Sequence, residues 1–169
     1  MATAVPEKFT YKIQTVWNSV MQLTRAADYG VRAMVHLATL PAGSRVGIVE
    51  LARAAEVPPP FLTKVLKRLT LSGLMISYRG PGGGFSLGAP ASEISLLQVV
   101  EAIEGPIRLN LCTGICTTPV TECHRQTWCA VHDVWMHAQA KLREVLGEAS
   151  IAQLALDSVL RLEILRDAQ

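Results

Sequence analysis

Positions 58–71 read PPPFLTKVLKRLTL, and their pattern is the strongest indication of the fold in this chain. Apolar side chains recur there at the three- and four-residue spacing of one helix face, which comprises Leu62, Val65, Leu66 and Leu69. The opposite face carries polar and basic side chains, namely Thr63, Lys64, Lys67 and Arg68. Pro60 suits a first helical position, and Gly73 follows the last turn. The spacing predicts an amphipathic helix over 61–71 with a basic outer surface.

A shorter helix and a rigid turn precede this stretch. The pattern predicts a helix over 48–55, and the proline-rich residues 56–60 then form a tight turn. Helix, tight turn and second helix make a helix-turn-helix, whose second helix enters the major groove of DNA. A basic helix face by itself is more often a solvated surface. In a helix-turn-helix it predicts base contacts by Thr63, Lys64 and Lys67, with Arg68 nearer phosphate.

A hairpin follows. The alternating segments 76–78 and 85–87 flank RGPGGG at 79–84, in which four glycines permit positive φ. Two strands after a helix-turn-helix form a wing. We expect Arg79 at its tip to reach the minor groove or the DNA backbone, with Tyr78 as a weaker contact. The alternative is a flexible hairpin without a binding role.

The remaining patterns are helical. They predict an amphipathic helix over 24–40, a helix from the capping box at Ser95 to about Glu104, and a final helix from Ser150 to about Leu165. Between the last two lies a heptad-type stripe on a helix that Gly147 would close. Its members are Val131, Trp135, Ala138, Leu142, Val145 and Ala149. The stripe predicts a homodimer seam, unless the helix packs on its own domain.

These elements define a mainly α fold: a winged helix-turn-helix with a small β-hairpin wing, plus a long dimerisation helix. We divide the chain into four parts. These are an N-terminal extension (1–20), a DNA-binding domain (21–90), a connecting helix with a cysteine-rich loop (91–130), and a dimerisation helix with a C-terminal helix (131–169).

Charge distribution indicates a polyanion partner. The stretch 45–80 has six basic and two acidic residues, a net charge of +4, whereas 130–169 has a net charge of −2. Hydrophobic residues make up 50% of the chain and charged residues 18%, which is typical of a globular protein. No apolar run approaches the roughly 18 residues of a membrane helix, and residues 1–20 lack a signal peptide's apolar region. We expect a cytoplasmic protein without membrane association.

All four cysteines fall within eighteen positions, at Cys112, Cys116, Cys123 and Cys129. In a reducing compartment such clustering favours metal, metal–sulfur or redox chemistry over structural disulfides. Zinc is one alternative, although the Cys123–Cys129 spacing is wide for it. A thiol–disulfide switch is another. A thiol redox enzyme is disfavoured, because no Cys-x-x-Cys precedes a helix, and a pure scaffold protein would not bind DNA.

With these residues in view, the chain resembles the Rrf-two family of bacterial winged-helix transcription factors. Residues 21–24 (MQLT) with 28–30 (DYG) resemble the family's opening, and 59–66 (PPFLTKVL) its recognition helix. Residues 73–74 (GL) with 79–85 (RGPGGGF) resemble its wing and are the most specific match. Residues 94–102 resemble the segment that leads into the family's cluster loop.

The resemblance implies a DNA-binding repressor that acts on a palindromic operator as a homodimer. It also implies an iron–sulfur cluster, 2Fe-2S or 4Fe-4S, that senses nitric oxide, redox state or iron supply. The family pattern carries ligand roles to Cys123 and Cys129. It carries the first ligand role to Cys116 or Cys112, or both bind in an all-cysteine site; the six-residue gap before Cys123 departs from the family's spacing. For the fourth ligand the family's branches offer His132, or Asp28 reaching the cluster of the partner subunit, with His124 a weaker alternative.

Overall fold

The computed structural model describes residues 24–110, 112, 125 and 128–167. Cys116, Cys123, His124 and the N-terminal extension therefore lie outside the described residues. The described chain contains six helices and one two-stranded sheet: α1 (Arg25–Ala38), α2 (Ile48–Ala54), α3 (Pro59–Leu71), β1 (Met75–Tyr78), β2 (Gly84–Leu87), α4 (Leu96–Glu104), α5 (His132–Glu148) and α6 (Ile151–Asp167). The prediction of a mainly α winged helix-turn-helix is confirmed.

Helices α1 to α4 enclose the core. All four residues of the predicted apolar face of α3 are buried, and they pack with Met34 of α1, Leu51 of α2 and Val99 of α4. Gly30 allows α1 to approach closely, since a Cβ there would lie 2.2 Å from Ile103 Cδ1 and 3.1 Å from Val65 Cγ1. The core thus fixes α3 against α1 and α4 and leaves the basic face of α3 outside.

Helix α3 begins two residues earlier than predicted, at Pro59 rather than Phe61. Proline fits the first helical positions because their N–H groups have no partner within the helix. The rest of the α3 prediction, including its end at Leu71, is confirmed.

The wing is an antiparallel hairpin in which Met75 pairs with Leu87 and Tyr78 with Gly84. Its second strand also pairs with the chain before α2. Val46 N–H donates to Phe85 O at 3.0 Å, and Phe85 N–H donates to Val46 O at 2.9 Å. A Cβ on Gly84 would lie 2.7 Å from Val46 O. Glycine at 84 is therefore required for this pairing, which anchors the wing to the helix-turn-helix.

The last two helices attach to the domain differently. Helix α6 begins where Ile151 N–H donates to Ile94 O at 2.8 Å, and it buries Ile151 and Ala155. Helix α5 contacts α4 but buries no residue. The prediction that Gly147 closes α5 is wrong: the helix continues to Glu148 and ends where Ala149 becomes extended, and Ala149 O accepts from Leu96 N–H. Within the described residues no helix is long and apolar enough to cross a membrane.

Candidate nucleic-acid interface and metal site

The first turn of α3 has no backbone donor to offer a ligand. Pro59 and Pro60 carry no N–H, and the N–H groups of Phe61 and Leu62 both donate to Pro58 O, at 3.0 and 3.2 Å. Helix N-termini often bind phosphate through free N–H groups. Here, phosphate contacts at this end of α3 have to come from side chains.

Three predicted contact residues of α3, namely Thr63, Lys64 and Lys67, are exposed. The Thr63 hydroxyl donates to Pro59 O at 2.8 Å. Towards a base edge Thr63 therefore presents an oxygen that can only accept, together with its methyl group. This combination suits an amino group of cytosine or adenine, or a thymine methyl.

Arg68 has a partner within the protein. Its Nη1 donates to the carbonyl of Ile103, one residue before the end of α4. A cation at a helix C-terminus is stabilised by the helix dipole. The predicted contact of Arg68 with phosphate stays a prediction, and the structure adds a link between α3 and α4 that the sequence does not reveal.

Both carboxylates of the basic stretch 45–80 lie against α1. Glu56 forms an ion pair with Arg32 at 3.2 Å, and Glu50 lies 3.9 Å from His36. Four cations of this stretch lie on or beside α3 and the wing, namely Arg45, Lys64, Lys67 and Arg79. None of them belongs to an ion pair in the part of the chain that the structure describes. The positive charge predicted to meet a polyanion is therefore not neutralised internally.

One face of the Tyr78 ring is covered by Arg45, whose Cζ lies 3.8 Å from the ring centroid. The Tyr78 hydroxyl accepts from Ser86 Oγ at 3.4 Å. The predicted contact of Tyr78 with DNA stays a prediction. Arg45 is one of the six basic residues of 45–80, and its proximity to Tyr78 is not visible in the sequence because the two are 33 positions apart.

Two of the four predicted thiol ligands lie among the described residues. Cys112 and Cys129 are half-buried free thiols. Cys129 O accepts from the backbone N–H of His132 at 3.0 Å, so the chain turns directly from this cysteine into α5. No group of three or more His, Cys, Asp and Glu residues that could hold a metal occurs within 24–110, 112, 125 and 128–167.

Asp28 lies in the first turn of α1, exposed, in an ion pair with Arg32 at 2.9 Å. That end of α1 adjoins the end of α4, because the Thr24 hydroxyl donates to Glu104 Oε1. The described structure does not bring Asp28, Cys112 and Cys129 into one group. The choice between Asp28 and His132 as a further ligand therefore stays open.

A family model for Rrf2, an iron-dependent transcriptional regulator, matches residues 23–157. The chain belongs to the Rrf2 family. An HTH-type transcriptional regulator of Mycobacterium tuberculosis is 37% identical over 80% of this chain and 81% of that protein. The HTH-type transcriptional regulator IscR of Vibrio atlanticus is 28% identical over 82% of this chain and 77% of its own.

Among solved structures, CymR, the global cysteine regulator of Bacillus subtilis, matches with a TM-score of 0.62 at 20% identity. The matched region covers 80% of this chain and 97% of CymR. That likeness shows the fold. The Rrf2 family consists of transcriptional regulators rather than enzymes, and its members act on DNA. This Rrf2 protein is accordingly a DNA-binding transcriptional regulator.

Proposed function

We propose that this Rrf2 protein is a cytoplasmic, homodimeric repressor whose operator binding depends on an iron–sulfur cluster held by the cysteine segment. The observation that carries the proposal is a set of side-chain contacts. They connect the entrance of the cysteine segment to α4 and α5, and α4 in turn to the DNA-facing helix α3.

The entrance of the cysteine segment is held by two side chains. Ile107 N–H donates to Glu101 Oε1 of α4 at 3.0 Å, and Leu109 N–H donates to Gln139 Oε1 of α5 at 3.0 Å. Glu101 also forms an ion pair with Arg143 of α5. A rearrangement of the cysteine segment would therefore act on both helices.

The end of α4 is held in turn by α3 and α1. Ile103 O accepts from Arg68 of α3, and the Ile103 side chain packs where Gly30 of α1 leaves room. Packed cores transmit small shifts because they resist compression. A shift of α4 would reach α3 through these contacts and change its fit to a half-site.

The described cysteines suit a cluster chemically. Thiolates are soft ligands that select iron–sulfur clusters, and Cys112 and Cys129 are free and half-buried. Cys129 precedes the N-terminus of the 17-residue helix α5, whose positive end stabilises negative charge. The ligands would be Cys123, Cys129 and either Cys116 or Cys112, with His132 or Asp28 as a fourth. When bound, the cluster supplies iron that nitric oxide, oxygen or iron scarcity can attack or remove.

A homodimer is supported by the apolar side chains that the single chain leaves uncovered on α5 and α6. Trp135 of the predicted stripe is 38% exposed and Val145 is 63% exposed. On α6 the exposed apolar residues are Leu156, Val159, Leu160, Leu162, Ile164 and Leu165. Monomeric proteins rarely expose so many apolar residues together. A second copy covering them would set the spacing of two α3 helices, about 34 Å for half-sites one turn apart.

A cluster-free regulator is the rival, with a structural zinc or a thiol–disulfide switch in the same segment. The fold shared with CymR, the global cysteine regulator of Bacillus subtilis, favours it as the second candidate, whereas the free thiols Cys112 and Cys129 suit a cluster, zinc or a disulfide alike. Both candidates keep DNA binding, and they differ in what the thiols hold.

Native mass spectrometry of anaerobically purified protein separates the two. The proposal expects a dimer carrying iron and sulfide, and loss of both in Cys123→Ala and Cys129→Ala. If His132 is the fourth ligand, His132→Ala shifts the visible spectrum, whereas His137→Ala, a matched histidine change on α5, leaves it unaltered. Zinc in place of iron, or full iron and sulfide content in both cysteine variants, would refute the cluster assignment.

A further inference from the structure

Arg45 is held at the wing by an aromatic platform. Its guanidinium carbon lies 3.8 Å from the centre of the Tyr78 ring, well within cation–π distance. Arg45 is exposed and belongs to no ion pair among the described residues. The ring thus restricts the position of the Arg45 guanidinium, and no ion pair among the described residues neutralises its charge.

The sheet register explains how a residue before α2 reaches β1. Val46 pairs with Phe85, so the antiparallel register places Arg45 opposite Ser86, on the outer face of the wing. Tyr78 stands on that same face, opposite Gly84. Because Gly84 has no side chain, the Arg45 side chain can cross β2 to the ring.

The backbone positions this platform. Tyr78 pairs with Gly84 in the hairpin, which fixes the base of its side chain. Ser86 is only 3% exposed although it points to the outer face, and its hydroxyl lies 3.4 Å from the Tyr78 hydroxyl, with Leu87 O as a closer acceptor at 3.2 Å. One ring face is occupied by Arg45, which removes that face from contact with DNA.

We propose that Arg45 is a DNA-phosphate contact and that Tyr78 acts as its positioning residue. The inference rests on the proposed DNA-binding face. Prolines remove the backbone donors from the first turn of α3, so phosphate contacts on this face have to come from side chains. Arg45 lies beside the wing residue that precedes Arg79, and a guanidinium suits a phosphate. A stacked guanidinium loses little further freedom on binding, which favours this contact over that of an unattached surface cation.

The test is fluorescence anisotropy with the full chain and a mixed-sequence DNA duplex several helical turns long, measured over a series of salt concentrations. Phosphate contacts do not depend on sequence, and each lowers the slope of log affinity against log salt by about 0.9. Arg45→Ala should make the slope shallower by about 0.9 for each wing that meets the duplex. When the salt concentration rises fourfold, wild type should therefore lose about 3.5 times more affinity than Arg45→Ala for each such contact.

Three control variants define the roles. Arg45→Lys should restore the slope with an affinity between those of wild type and Arg45→Ala. Tyr78→Leu should weaken binding, but adding Arg45→Ala to it should cost little more. Arg25→Ala, an equal loss of charge at the far end of α1, should leave the slope unchanged.

The outcomes separate this inference from the function on which it rests. If wild type shows no salt-dependent DNA binding, the proposed function itself fails. If wild type binds but Arg45→Ala has the same affinity and slope, Arg45 is not a phosphate contact. Fully additive losses in Arg45→Ala and Tyr78→Leu would show that Tyr78 contacts DNA on its own account, which overturns its positioning role.

Discussion

Glu101 holds three parts of the molecule together, and replacing it should destabilise the protein measurably. Its carboxylate accepts from Ile107 N–H at 3.0 Å and from Arg143 Nη2 at 3.3 Å. The Glu101 side chain is 24% exposed and that of Arg143 39%. We therefore expect a modest contribution of about 1 kcal/mol from the ion pair.

The backbone bond is the larger part. Ile107 is buried, so removing its acceptor leaves an N–H without a partner, at a cost of about 1–3 kcal/mol. Glu101→Ala should thus lower the free energy of unfolding by about 2–4 kcal/mol. Glu101→Gln retains the acceptor and should cost about 1 kcal/mol, as should Arg143→Ala.

Urea denaturation followed by circular dichroism measures these differences. All variants should be compared at one protein concentration, because the stability of a dimer depends on concentration. The denaturant slope should stay unchanged, which shows that the folded and unfolded ensembles remain comparable. Equal losses of stability in Glu101→Gln and Glu101→Ala, or losses from Glu101→Ala and Arg143→Ala that simply add in the double variant, would show that Glu101 does not hold these contacts.

Three further predictions concern the wing, the core and the uncovered helices. Arg79→Ala should weaken operator binding by about 1–3 kcal/mol if Arg79 reads a base and by less if it meets only phosphate; wild-type affinity in an anisotropy assay would remove the wing from the interface. Leu66→Ala removes a side chain with 0% exposure and should cost about 2–5 kcal/mol in urea denaturation. Leu71→Ala, at 78% exposure, should stay within about 0.5 kcal/mol, and equal losses would contradict the assigned core. Leu160→Asp should shift the protein from dimer to monomer in size-exclusion chromatography with light scattering, because it places a charge among the exposed apolar residues of α6. Gln153→Asp, at another exposed position of α6, should leave the dimer intact. A monomeric wild type would refute the proposed dimer interface.

The elements that local signals determine could be predicted from the sequence. The apolar face of α3 is buried as its spacing indicates, and the capping box at Ser95 forms with Gln98 as its reciprocal partner. Such features depend on residues three or four positions apart, which a single sequence displays directly. The error at Gly147 shows the limit, since there a tertiary contact of Ala149 with Leu96 decides where α5 ends.

The contacts that join elements could not be predicted. Arg68 meets Ile103 from 35 positions away, and Arg143 meets Glu101 from 42 positions away. The sequence does not show whether a basic side chain faces DNA or another helix, because this depends on how the helices pack. The cysteines were recognisable as a site because of their clustering, but which thiols converge is a property of the folded segment.

Cluster control of DNA binding can be tested by comparing one anaerobic preparation before and after iron is removed by a chelator. Its affinity is measured for an operator duplex selected from a random-sequence library. We expect iron and sulfide in the starting material and a change in affinity of about 1–3 kcal/mol when they are lost, the usual size of coupling between two sites. Protein that carries neither iron nor sulfide, and that binds the same duplex equally well after reconstitution, would refute control by a cluster.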